Sequence, residues 1–198
     1  MKLSHLIMLS IFSLAAFYIL VANPKIVSEI YLIALVCSLI FGIVKSNPNI
    51  SHISAFLLLI NFAEYLAFAY GIVNLVPTVE SKLLNGVMVF GSQLVLSLLA
   101  VFIFIFRVQL SRLISKSKNI ELTNFDGLFH WTFIYTSIIY ALALGEHLLR
   151  NAFLIRDITY IYDSFEALIY IAWALTCGLL LTMIILSVKS SHTHESTL

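Results

Sequence analysis

Apolar residues in this chain come in long unbroken runs separated by short polar breaks. Six runs lie near 4–22, 26–44, 52–76, 84–106, 128–149 and 159–187. Each is long enough to cross a bilayer as a helix, which takes about 20 residues at about 1.5 Å rise per residue. A transmembrane barrel would instead alternate apolar and polar positions over segments of about ten residues. Stretches such as Phe56–Ile60 and Leu94–Phe106 do not alternate. The pattern predicts an all-α, six-helix transmembrane bundle forming one domain over 1–198. The first run follows Lys2 and resembles a signal peptide, but it exceeds the usual apolar core of about 7–15 residues. Another apolar run follows at once, so it reads as an uncleaved span.

The breaks carry turn chemistry. Asn23-Pro24 and Asn47-Pro48 pair an N-capping residue with a proline suited to the first helical position. Pro77-Thr78 closes the third span. Thr123 or Asp126 is placed to cap the fifth. The 107–127 segment reads as a basic cytoplasmic loop, and 188–198 as a polar cytoplasmic tail.

Composition narrows the class further. AVILMFWYC residues make up 61% and charged residues 11%. A soluble domain carries roughly 45–50% apolar and about 25% charged residues, so a water-soluble fold is excluded, as is a disordered chain. Cys37 and Cys177 fall inside spans, where no disulfide is expected. With the N-terminus inside, the inner segments hold Lys2, Lys45, Arg107, Arg112, Lys116, Lys118 and Lys189. The outer loops hold Lys25, Lys82, Arg150 and Arg156. This bias puts both termini in the cytoplasm and sets the 107–118 bases beside headgroups. Nothing in the pattern points to nucleic acid.

The acids behave differently from the bases. Glu29, Glu64, Glu146, Asp163 and Glu166 fall within apolar runs, in the outer half or at the midplane. An ionised group near the bilayer centre costs about 2.5 kcal/mol or more, so such acids mark function by default. Helical spacing groups Asp163, Glu166, Tyr170, Ala174 and Cys177 on one stripe of the last span. Asn61 and Glu64 share a face of the third span, where Ala63, Ala67 and Gly71 form a small-residue series suited to close packing or dimerisation. Glu146 and Arg150 are spaced for an i, i+4 pair. Gln93 sits about halfway down the fourth span. The expected result is a polar cavity open to the outer side, lined by spans two, three, five and six.

Three readings fit these residues. In the first, Glu64, His147, Asp163 and Glu166 ligate a divalent metal such as Zn²⁺. Glu146 would then be a general base for a membrane-embedded hydrolase. In the second, the mid-membrane carboxylates relay protons or cations in a small transporter. Asn61-x-x-Glu64 and Asp163-x-x-Glu166 would mark an inverted repeat. In the third, the acids form structural ion pairs with Arg150 and Arg156, and Glu64 bonds to Asn61 or a tyrosine. The chain length, the six spans and the placement of Glu64, Glu146-His147 and Asp163-x-x-Glu166 resemble the AciT-type small bacterial inner-membrane proteins. That resemblance implies a bacterial inner-membrane location and a metal site, with no assigned reaction.

Overall fold

The computed structural model describes residue 11 and residues 24–71, 73, 82–155 and 157–195. The expected first span lies outside these residues except for residue 11, as do the Pro77-Thr78 break and Arg156. The described chain forms six helices: α1 (Pro24–Val44), α2 (Pro48–Ala69), α3 (Lys82–Ile105), α4 (Arg107–Ile114), α5 (Asp126–Asn151) and α6 (Tyr160–Glu195). Five of them, all but α4, are long and apolar enough to cross a membrane. The protein is a multi-pass helical membrane protein.

Helix boundaries follow the turn chemistry closely. Pro24 and Pro48 are first residues of α1 and α2, where a missing N–H costs nothing. Asn47 caps α2 by accepting from the Asn49 and Ile50 N–H groups at 3.2 and 3.3 Å. Ser46, at φ 50°, turns the chain sharply between the two helices. Gly42 makes the close approach possible, because a Cβ there would stand 2.6 Å from the Ser51 backbone nitrogen. Helix α2 ends at Ala69, earlier than the run near 52–76 suggested. Gly71, at φ 66°, provides the left-handed residue after the Tyr70 cap, and its N–H reaches Phe68 O at 3.1 Å. Gly71 thus lies past the end of the helix and terminates it.

Two expectations for the connection between α3 and α5 change. The segment after the third described span is no plain loop, since Arg107–Ile114 forms the short helix α4. The α5 N-cap is Phe125, which makes no side-chain cap bond. Asp126 turns back instead, and Oδ2 accepts from Thr123 N and Oγ1 at 2.6 and 2.9 Å. The reason is Arg107, which is 1% exposed. Its Nε donates to Asp126 Oδ1 at 2.6 Å, and Nη2 pairs with Asp126 Oδ2. Nη1 donates to Asn49 Oδ1 at 2.8 Å and Nη2 also to Glu121 O at 2.7 Å. A charge buried this deeply needs such full pairing.

Packing is pairwise. Helix α3 lies along α5, α1 along α2, and α6 closes against α5 and α1. Val27, Leu35, Ile53, Leu57, Phe129 and Leu180 form the heart of the core. Ile33, Ile43, Val95 and Phe102 project outward, which suits lipid contact. Tyr135 Oη donates to Leu168 O at 3.2 Å across α5 and α6. The 30-residue apolar part of α6 spans about 45 Å at 1.5 Å per residue, so it tilts or projects beyond a core of about 30 Å.

Candidate functional site

All five long helices contribute to one pocket near the middle of the bundle. Tyr31 of α1, Asn61 and Glu64 of α2, and Gln93 and Ser97 of α3 line it. Thr132, Thr136 and Tyr140 of α5 and Trp173 and Thr176 of α6 complete the wall. Its volume is about 50 Å³, enough for about one or two waters. The helices expected to line a cavity, spans two, three, five and six, all reach this pocket, and span four adds a fifth wall.

Helical spacing brings these groups together. Gln93 and Ser97 lie one turn apart on α3, and Thr132, Thr136 and Tyr140 repeat at i, i+4, i+8 on α5. The hydroxyls use their protons on backbone carbonyls. Thr132 donates to Leu128 O at 2.9 Å and Thr176 to Ala172 O at 2.9 Å. Ser97 is the exception: Thr136 and Ser137 donate to Phe133 O at 3.0 and 2.8 Å, and the Ser97 proton serves its 2.6 Å contact with Thr136 Oγ1. Hydroxyls engaged in this way offer lone pairs to the pocket. On the opposite wall Tyr31 stacks on Trp173, ring centroids 4.9 Å apart and planes within 4°.

Glu64 is the carboxylate of the pocket. Gln93 Nε2 donates to its Oε1 at 3.2 Å. Gln93 Oε1 is buried with no hydrogen-bond partner among the described residues. Such an orphaned acceptor costs about 1–3 kcal/mol when nothing fills its place. Asn61 spends its amide N–H on Leu57 O at 2.8 Å. One carboxylate, a free amide oxygen and several hydroxyl lone pairs thus face the same small space, with the Tyr31 and Tyr140 phenols beside them.

The other sequence candidates do not join Glu64. Glu146 is buried, and its oxygens accept from Ile161 N at 2.9 Å and Tyr162 N at 3.2 Å. It caps α6 from α5, a charge at the positive end of that helix, with both oxygens engaged. His147 approaches Leu83 O through Nε2 at 3.2 Å and Asn151 Nδ2 through Nδ1 at 3.2 Å. Both ring nitrogens are engaged, with a proton on Nε2 satisfying both contacts. The ring lies directly over Gly86. Asp163, Glu166 and Glu29 are on exposed faces of the described residues. The stripe through Asp163 and Glu166 turns inward only from Tyr170 onward, where Tyr170, Ala174 and Cys177 are buried. The Arg150 guanidinium lies over the Tyr162 ring, 5.1 Å from its centroid, and makes no ion pair with Glu146.

The expected zinc ligand set is therefore not assembled. Of Glu64, His147, Asp163 and Glu166, only Glu64 lines the pocket. Among the described residues no group of three or more His, Cys, Asp or Glu is placed to hold a metal ion. The pocket hydroxyls escaped notice in the sequence because Ser and Thr are common in membrane helices. The i, i+4 recurrence of Thr132 and Thr136, and of Gln93 and Ser97, was the available signal. No protein-family model, curated protein or solved structure matches this chain.

Proposed function

We propose that the protein binds and translocates a small monovalent cation, a proton or Na⁺, with Glu64 as the central ligand. The observation that carries this reading is the pocket itself: one carboxylate and the unpartnered Gln93 Oε1 among hydroxyl oxygens. Charge matching sets the valence. A single carboxylate in a low-dielectric space is balanced by one positive charge. A hard divalent ion takes six or more oxygens, usually with several carboxylates. Zinc prefers imidazole nitrogen and thiolate sulfur, and no His or Cys lines the pocket. A hydrolase loses its candidate base, because both Glu146 oxygens hold backbone N–H groups.

Gln93 gives the site a way to respond. While Glu64 is ionised, Gln93 Nε2 donates to it. Once Glu64 takes a proton, its O–H becomes a donor, and a half-turn of the Gln93 amide offers Oε1 in return. The bases of α4 and the following loop orient that end of the bundle to the cytoplasm. With the first span included, both termini lie there, in a bacterial inner membrane as the AciT-type resemblance implies.

Proteoliposomes test the reading. Internal pH and internal Na⁺ are followed with indicator dyes after an imposed gradient. Wild type should relax one gradient faster than empty vesicles, and Glu64→Gln should not. Relaxation unchanged in Glu64→Gln, or no relaxation by folded wild type above the empty-vesicle rate, would overturn it.

A further inference from the structure

We infer that the hairpin after α4 is a binding site for the phosphate of an anionic phospholipid headgroup. A hollow of about 370 Å³ there is lined by Arg112, Ser115, Lys116, Ser117 and Lys118. It holds three cations and no acid. Arg112 makes one long contact, Nη2 to Ile120 O at 3.3 Å. Neither Lys116 nor Lys118 has an acidic partner within 4 Å among the described residues.

The two serines complete a donor set. Ser115 Oγ accepts from Ser117 N at 3.3 Å, and Ser117 Oγ accepts from Asn119 N at 3.3 Å. Neither hydroxyl donates in these contacts, so each proton is free to turn toward a bound anion. Guanidinium, two ammonium groups and two hydroxyls are the donors that a phosphate's oxygens accept. This is the inverse of the Glu64 pocket, where acceptors converge.

A second, independent feature says where that phosphate comes from. Leu113 and Ile114, between the lining residues Arg112 and Ser115, and Leu122, farther along the same connection, are 84%, 68% and 77% exposed. Large apolar side chains left open beside a basic hollow insert into the boundary between headgroups and acyl chains. They place the hollow at headgroup depth, so the phosphate is a lipid's and not a soluble metabolite's. The buried Arg107–Asp126 pair anchors the near end of α4 to α5, which holds the hairpin in place against the bundle.

The test uses the full chain in detergent. Retained lipid is counted by native mass spectrometry during titration with phosphatidylglycerol or phosphatidylcholine. Lys116→Gln/Lys118→Gln alters two exposed side chains outside the core, and circular dichroism checks its fold. Wild type should hold phosphatidylglycerol in preference to phosphatidylcholine. Charge-assisted hydrogen bonds to phosphate are among the strong ones, so loss of both ammonium donors should weaken phosphatidylglycerol binding by about tenfold or more. Equal retention of the two lipids, or equal retention by wild type and the folded variant, overturns the inference. Inorganic phosphate added as competitor should leave the bound lipid in place. Displacement by phosphate at concentrations matching the lipid would overturn the lipid assignment.

Discussion

Asp126→Asn removes a charge from a carboxylate that is paired with a buried guanidinium and also accepts from Thr123. The guanidinium of Arg107 is 1% exposed, and two of its nitrogens bond the Asp126 carboxylate. An amide has one oxygen where the carboxylate had two. If that oxygen stays on Arg107 Nη2 and on the Thr123 N–H, the new NH₂ faces Arg107 Nε–H at a spacing that was 2.6 Å between donor and acceptor. If the amide turns over, it meets the Thr123 N–H instead. Either way one donor opposes another and a buried charge loses its counter-ion. Breaking a buried pair from one side costs about 3–5 kcal/mol. Replacing both partners, as in Arg107→Met with Asp126→Leu, removes the desolvation cost with the charge. Glu121 O and Thr123 N lie at partly open positions and can turn to water. The double variant should therefore recover most of the loss. Reversible unfolding of the full chain in mixed micelles gives the free energies, and the double-mutant cycle gives the coupling. A loss under about 1 kcal/mol for Asp126→Asn, or strictly additive losses in the cycle, would refute the reasoning.

Three further outcomes are expected from the same unfolding assay. Gly42→Ala should cost about 1–3 kcal/mol, because the new methyl meets Ser51 backbone atoms at 2.6 and 2.8 Å that cannot rotate away. Gly86→Ala should cost less than Gly42→Ala, since its obstacle is the rotatable His147 ring; the larger loss at Gly86 would contradict the packing described. Glu146→Gln should destabilise by about 1 kcal/mol through loss of charge at the α6 N-terminus, and amide exchange at Ile161 and Tyr162 should quicken; unchanged exchange there would contradict the cap.

How much of this was legible in the sequence depended on range. Spans set by local hydropathy appear close to their expected places, with α1, α3 and α5 within two residues of the apolar runs at both ends. The Asn47-Pro48 break reads correctly because capping acts over three residues, while Asn23 lies outside the described residues. What failed depended on contacts between distant helices. Hydropathy placed Glu146 inside a span but could not reveal that the α6 N-terminus would occupy its oxygens. Arg107 looked like a boundary base because its partners Asn49, Glu121 and Asp126 come from three separate segments. Periodicity put Asp163 and Glu166 on the stripe of Tyr170, yet near a helix start the neighbouring helices no longer cover that stripe. Glu64 and Gln93 were both visible as polar residues in apolar runs. Their meeting across α2 and α3 was not.

Trp173 offers the most direct test of cation binding at Glu64. The chain has two tryptophans; Trp131 is exposed, while Trp173 lines the pocket and stacks on Tyr31. In a Trp131→Phe background, emission therefore reports from the pocket alone. Titration with Na⁺ at fixed ionic strength, and separately with acid, should give a saturable change for one of the two cations. The same change should vanish when Glu64→Gln is added. A flat response to both cations, or an identical response with Glu64→Gln, would contradict the account.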